Sequence, residues 1–201
     1  MEQPEIERHP LLPFLPNNSR LLMLGSFPPQ QKRWSMNFFY PNPQNDMWRI
    51  FGLLMYGHKD HFFNSKTKRF CQTEIESMLK QAGIALYDTA MSVRRLKGNA
   101  SDEFLEIVEP TDIRSLLARI PSCHTVASTG GKSAQEVCLQ LNIGVPRIGE
   151  HVVTDDGITF WRMPSSSRSY PLKLEKKAEF YRRMLHSIGI IPAKNLLNHS
   201  V

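Results

Sequence analysis

The stretch RLLMLGSFPPQQKRWSMNFFYPNPQNDMW, residues 20–48, decides the fold. It opens with a short apolar run, Arg20 to Leu24, that Gly25 stops. A run this short and apolar throughout suits a strand buried in a parallel sheet better than a helix. The segment from Gly25 to Pro43 is a long loop rich in Pro, Asn and aromatic rings. Long ordered loops are uncommon in compact domains and are usually functional. From Asp46 to Tyr56 the residues Met47, Ile50, Phe51 and Leu54 recur at helical spacing, with Asn45 ahead of them as an N-cap.

The same alternation continues outward. Residues 1–19 read as an extended, Pro-rich lead-in. A second helix is expected over Lys66 to Ala82, ended by Gly83, and a second buried strand over Ile84 to Tyr87, followed at once by Asp88. SVRRLKGNASD, residues 92–102, reads as a polar loop. A helix over Asp112 to Ile120 with Thr111 as its cap, a strand over His124 to Ala127 and a helix over Ser133 to Leu141 follow. Val152 to Met163 reads as a hairpin around Asp155-Asp156-Gly157. A serine-rich loop, Pro164 to Ser169, leads into a last amphipathic helix, Leu172 to Ile188. Strands alternating with helices predict an α/β fold: a three-layer αβα sandwich around a central, mainly parallel four-stranded sheet. With no internal repeat and no dividing linker, residues 1–201 read as one domain. Ligands bind such sheets outside the carboxyl ends of the strands. Those exits are Gly25-Ser26-Phe27-Pro28, Asp88, Gly130-Gly131 and Met163-Pro164-Ser165, and the unusual residues cluster there.

Composition narrows the function classes. The chain is 41% hydrophobic and 22% charged, ordinary for a globular protein. It has no apolar run of membrane-spanning length and no signal-peptide pattern, so a cytoplasmic location without membrane contact is expected. Three scattered cysteines, Cys71, Cys123 and Cys138, lack metal-ligand spacing. No metal and no cofactor is therefore expected, and a reducing compartment fits. The formal net charge is +6. That suits a polyanionic partner as well as simple solubility. Neither a G-x-S-x-G elbow nor a P-loop spacing is present.

The strand exits also carry a resemblance. GSFPP (residues 25–29), YPNPQNDMW (40–48), ALYDTAMSVRR (85–95), GNASDEF (98–104) and MPSSSRSYP (163–171) resemble, in order, the motifs of the uracil-DNA glycosylase superfamily. The resemblance is nearest to its hypoxanthine-specific and mismatch-specific branches. It departs from the better-known branches at Phe27, where they carry Asp or Asn, and at Met163, where they often carry His.

The resemblance implies a monofunctional glycosylase that hydrolyses the N-glycosidic bond of a deaminated base, hypoxanthine, uracil or related, by water attack. The partner would be DNA containing a damaged base, and the chain a monomer. The alternative is a weak or inactive lesion-DNA-binding protein of the same fold, which Phe27 and Met163 motivate. Under the first reading Asn45 is the catalytic amide, since an amide both accepts from water and donates to a substrate oxygen. Tyr40, or its neighbour Phe39, stacks on the extruded base. Asp88 reads the base edge as an acceptor, while Ser26, Phe27 and Pro28 line the pocket. Phosphate contacts are expected from Arg94, Arg95 and Lys97. The helix start at Gly130, Gly131 and Lys132 is a further candidate, as is the loop of Pro164, Ser165, Ser166, Ser167, Arg168 and Tyr170. Lys173, Lys176, Lys177, Arg182 and Arg183 read as a solvated helix face.

Overall fold

The computed structural model describes residues 4–96 and 104–192. Its centre is a five-stranded sheet. The elements are β1 (Ile6–Arg8), β2 (Leu21–Gly25), α1 (Met47–Tyr56), β3 (Phe63–Asn64), β4 (Arg69–Phe70), α2 (Gln72–Ala82), β5 (Ile84–Asp88), β6 (Ala90–Arg95) and β7 (Leu105–Pro110). They are followed by α3 (Ile113–Ala118), β8 (Thr125–Thr129), α4 (Gly131–Leu141), β9 (His151–Val153), β10 (Thr159–Met163) and α5 (Leu174–Ser187). The central order is β5-β2-β8-β10-β9. β2, β5, β8 and β10 are parallel, and β9 is antiparallel to β10. The expected four strands therefore become five, because the first arm of the Asp155-Asp156-Gly157 hairpin joins the sheet.

β2, β5 and β8 are buried along their whole length, as apolar runs of that kind demand. From β2 the chain steps outward to β5, then crosses back past β2 to β8 and on to β10. With the right-handed crossovers that such units follow, this order places α1 and α2 on one face and α3 and α4 on the other. Two contacts agree: Ile113 N donates to Gln140 Oε1 between α3 and α4, and α5 packs along α1. The reversal of direction at β2 opens a crevice at the strand ends.

Several expected elements differ. The helix read over Lys66 to Ala82 begins only at Gln72. Ahead of it, Asn64 Oδ1 accepts from the amides of Lys66 and Thr67, and this turn closes the β3–β4 hairpin. Local side-chain bonding of this kind competes with helix. The cap of α3 is Asp112, whose Oδ1 accepts from Ser115 N. Thr111 instead donates its hydroxyl to the Asp88 carbonyl.

The supposed polar loop after Asp88 contains a strand. β6 pairs with β1 on one side and β7 on the other, making a second, three-stranded antiparallel sheet. Phe27, Ala90, Val93 and Leu105 form its small core. The lead-in thus supplies a strand, and further on Phe14 exchanges backbone hydrogen bonds with Leu86, covering the outer edge of β5.

The largest departure is Lys177. It is fully buried, not solvated. Its Nζ donates to Asp46 Oδ2 at 3.0 Å and to the Ser167 carbonyl at 2.7 Å. Asp46 Oδ1 accepts from Arg168 Nε at 2.9 Å. One carboxylate thus joins the start of α1, the serine-rich loop and α5. Replacing Lys177 by Met should destabilise the protein by about 3–5 kcal/mol, read from urea unfolding, because Asp46 keeps only Arg168 against its burial.

Candidate active site

An open cleft of about 810 Å³ lies over the carboxyl ends of β2, β5, β8 and β10. Its wall draws on Gly25 to Pro29, Tyr40, Asn45, Asp88, Thr129 and the loop after β10. Segments far apart in sequence meet there, at the crevice where the strand order reverses.

Two loops are tied together to form one side. Asn45 and Ser167 make an isolated antiparallel bridge. Asp46 N donates to the Ser166 carbonyl at 2.7 Å, and Arg168 N to the Gln44 carbonyl at 3.2 Å. Buried Arg49 holds the same turn from below, donating to the Pro43 carbonyl at 2.9 Å while its guanidinium lies 4.6 Å over the Phe63 ring. Burial, with Arg168 nearby, lowers its pKa from the ordinary value.

The N-cap expected at Asn45 falls one residue later. Asp46 is the N-cap of α1, and Oδ1 of the preceding Asn45 accepts from Met47 N, the first amide of the helix, at 2.9 Å. The Asn45 side chain also lines the cleft. A carbonyl oxygen has a second lone pair and an amide nitrogen two hydrogens, so this bond leaves Asn45 able to bind water or substrate.

Asp88 ends β5 directly beside Gly25. A methyl group on Gly25 would collide with Asp88 Oδ1, so the glycine exists to let this carboxylate lean over the strand end. The second carboxylate oxygen, Oδ2, faces His9 Nε2 at 2.9 Å. Tyr40 sits with φ of 48°, an outlier for a bulky residue. Such backbone costs roughly 1–3 kcal/mol and persists only where its surroundings over-determine it. Here its hydroxyl bonds Thr129 Oγ1 at 2.9 Å, and its ring meets Trp48 edge-on.

Some expected residues lie elsewhere. Phe39 is in the core, edge-on to Phe38 and Tyr87, so of the two candidate stacking rings Tyr40 is the one at the cleft. Pro164 is buried, its carbonyl accepting from Tyr181 Oη. Arg95 is buried too: it donates to the Glu7 carboxylate at 2.8 Å and to the Pro28 carbonyl at 2.6 Å, with Phe27 5.6 Å beneath it. It is an internal clamp on the GSFPP turn, not a phosphate contact. Arg94 faces Glu106 at 3.4 Å, away from the cleft wall. Gly130 and Gly131 start α4 just past Thr129, and Lys132 bonds the Leu105 carbonyl. Lys97 lies outside the described residues. Ser26, Phe27, Pro28, Ser165, Ser166, Ser167, Arg168 and Tyr170 line the cleft, with Arg168 held by Asp46.

Among the lining or supporting residues that escaped the sequence reading are Thr129, Arg33 and His9. Thr129 ends β8 and positions Tyr40. Arg33, exposed on a short 3-10 turn, stands at the cleft wall; the basic pair in QQKRW was its only signal. His9 had no local signal, since its partner lies 79 residues away.

Thiol chemistry is disfavoured here. Burial pushes the Cys123 thiol up to about 11 and raises Cys138 as well. Burial, with Asp88 beside it, raises the Tyr87 hydroxyl above its ordinary value, so it stays protonated at neutral pH. Among the described residues no group of His, Cys, Asp and Glu could hold a metal ion, and no helix is long and apolar enough to cross a membrane.

The fold has a solved counterpart. An NMR structure of a protein from Methanosarcina acetivorans, provisionally named a uracil DNA glycosylase, superposes with a TM-score of 0.60. The match covers 90% of this chain and 99% of that one at 22% identity. No family model and no curated protein sequence matches the chain. The similarity is therefore one of fold.

Replacing Gly25 by Ala should displace the Asp88 carboxylate from His9 and lower stability by roughly 1–3 kcal/mol. Thermal unfolding and the ring NMR signals of His9 check this.

Proposed function

We propose that this chain is a monofunctional DNA glycosylase, hydrolysing the N-glycosidic bond of a deaminated base by attack of water. One observation carries the reading: Tyr40 and Asn45 from the loop before α1 and Asp88 from the end of β5 line a single cleft at the sheet rim. Its volume lies in the range of small-ligand pockets, room enough for an extruded base. The shared fold with the Methanosarcina protein, itself provisionally named a uracil DNA glycosylase, supports the reading.

Breaking this bond builds positive charge on the sugar and negative charge on the base. In this reading Asn45 uses its free lone pair to hold the water and its amide hydrogens to meet a substrate oxygen. Tyr40 stacks on the base, and Asp88 Oδ1 accepts an N–H from its edge. Among the described residues the cations at the wall are arginines, Arg33 and Arg168, which supports water over a lysine amine as the nucleophile. The net charge of +6 and Arg33 draw the phosphate backbone toward the cleft. Phe27 supplies no acid–base group; it anchors the GSFPP turn on the second sheet.

The test separates support of the helix start from chemistry. Asn45→Asp keeps an acceptor for Met47 N at a helix start, where a carboxylate is favoured, but removes both amide hydrogens. It should fold as stably as the wild type yet release base at least about 100-fold more slowly, a loss typical of one removed charge-stabilising donor. Asn45→Ala should lose both the activity and about 1 kcal/mol of stability. Activity is read as free base released from duplexes bearing hypoxanthine, uracil or xanthine. The second reading, lesion binding without turnover, is favoured by the engagement of Asn45 Oδ1 at the helix start and by the inert Phe27. It predicts salt-sensitive binding with no base released by the wild type.

Arg33→Ala should weaken DNA binding across sequences and reduce the slope of log affinity against log salt by about 1. Fluorescence anisotropy at several salt concentrations measures both.

A further inference from the structure

Asp88 has a partner that the cleft chemistry above does not use. His9, on the lead-in, is packed with its side chain only 2% exposed. Its ring centroid lies 4.7 Å from Tyr87 and 5.3 Å from Phe27, which meets it edge-on. Its backbone is fixed as well: β1 pairs with β6, and His9 N donates to the Met91 carbonyl at 2.8 Å. An imidazole this confined has one orientation. An ionised carboxylate only accepts, so Nε2 carries the hydrogen toward Oδ2. Nδ1 lies against both the Leu11 carbonyl, at 2.9 Å, and Leu11 N, at 3.1 Å, so the Leu11 backbone holds the ring from its other side.

The consequence lies on the other side of the carboxylate. With Oδ2 occupied by His9, Oδ1 is the oxygen left over Gly25, at the cleft wall. The rotamer is fixed from behind, and what the cleft meets is a lone-pair acceptor.

We propose that His9 is a positioning residue that holds Asp88 as a one-sided acceptor, so that the cleft selects bases whose ring edge carries an N–H. Hypoxanthine at N1 and uracil at N3 offer that hydrogen. Adenine and cytosine carry a lone pair at the same ring positions and would face Oδ1 with two acceptors opposed. A site with a buried polar group rejects a partner that leaves the group unpaired far more strongly than an apolar pocket rejects a shape. The inference rests on the glycosylase reading and adds what that reading lacks, a physical source of discrimination between a deaminated base and the amino base it arises from, hypoxanthine against adenine and uracil against cytosine.

The experiment compares wild type, His9→Gln and His9→Leu on one duplex bearing hypoxanthine, uracil, adenine or cytosine. It reads kcat/KM, thermal unfolding and the ring nitrogen-15 spectrum of His9. His9→Leu should lose roughly 10- to 100-fold in kcat/KM on the two lactam bases, the size of a lost hydrogen bond to a charged group. Its preference for them over adenine and cytosine should shrink by a similar factor. His9→Gln, which retains an amide hydrogen for Oδ2, should restore most of both. The spectrum should show hydrogen on Nε2 in the wild type and a changed signal in Asp88→Ala. An active wild type whose His9→Leu variant keeps both rate and preference overturns the inference and leaves the glycosylase reading standing. A wild type that releases no base from any lesion overturns both. Should His9→Leu not fold, the spectrum decides, and a bare Nε2 overturns the proposal.

Discussion

A buried ammonium against a buried carboxylate holds the two halves of the cleft in register. Lys177 comes from the last helix, Asp46 from the start of the first, and the Ser167 carbonyl between them shares the same Nζ. Taking two charges from water costs several kcal/mol per ion, so the pair is a poor source of net stability. Its effect is geometric. An apolar pair of the same volume would leave the Ser167 carbonyl without its donor and let the two loops slide. With the pair in place, Asn45 sits against Ser167, and the cleft wall has one shape.

The second sheet does for the GSFPP turn what Lys177 does for the serine-rich loop. Phe27 fills the small core between Val93 and Leu105, and Arg95 closes over it while bonding the Pro28 carbonyl. A polar residue at position 27 would leave that core incomplete. Phe27 thus has a packing cause in this chain, and under the proposed function the water-holding group is Asn45.

Legibility in the sequence followed the range of the interactions. The buried parallel strands, the helix after Asn45 and the gathering of their exits could all be read, because apolar runs and caps are local signals. Asp88 stands at a strand exit, where the strand rule points, while Tyr40 and Asn45, singled out by the motif resemblance, lie in the loop before α1 that lines the same cleft. Lys177 was misread because its helical spacing with Lys173 and Lys176 matches a wet face, and nothing local announces that a carboxylate waits 131 residues away. Arg95 was misread for the same reason: its partners, Glu7 and Pro28, come from earlier segments of the chain. The β3–β4 hairpin was hidden by the polar residues Lys66 to Arg69, compatible with a helix until the Asn64 turn is seen.

The lead-in closes against β5 and β6 only once those strands exist, and His9 is separated from Asp88 by 79 positions. Contacts so distant along the chain form slowly, since loop closure must precede any gain from them. The central strands can pair while this crevice is still unsealed at one end. Closure of the pocket is thus expected late in folding, and a chain caught before it would have a finished scaffold around an unsealed cleft.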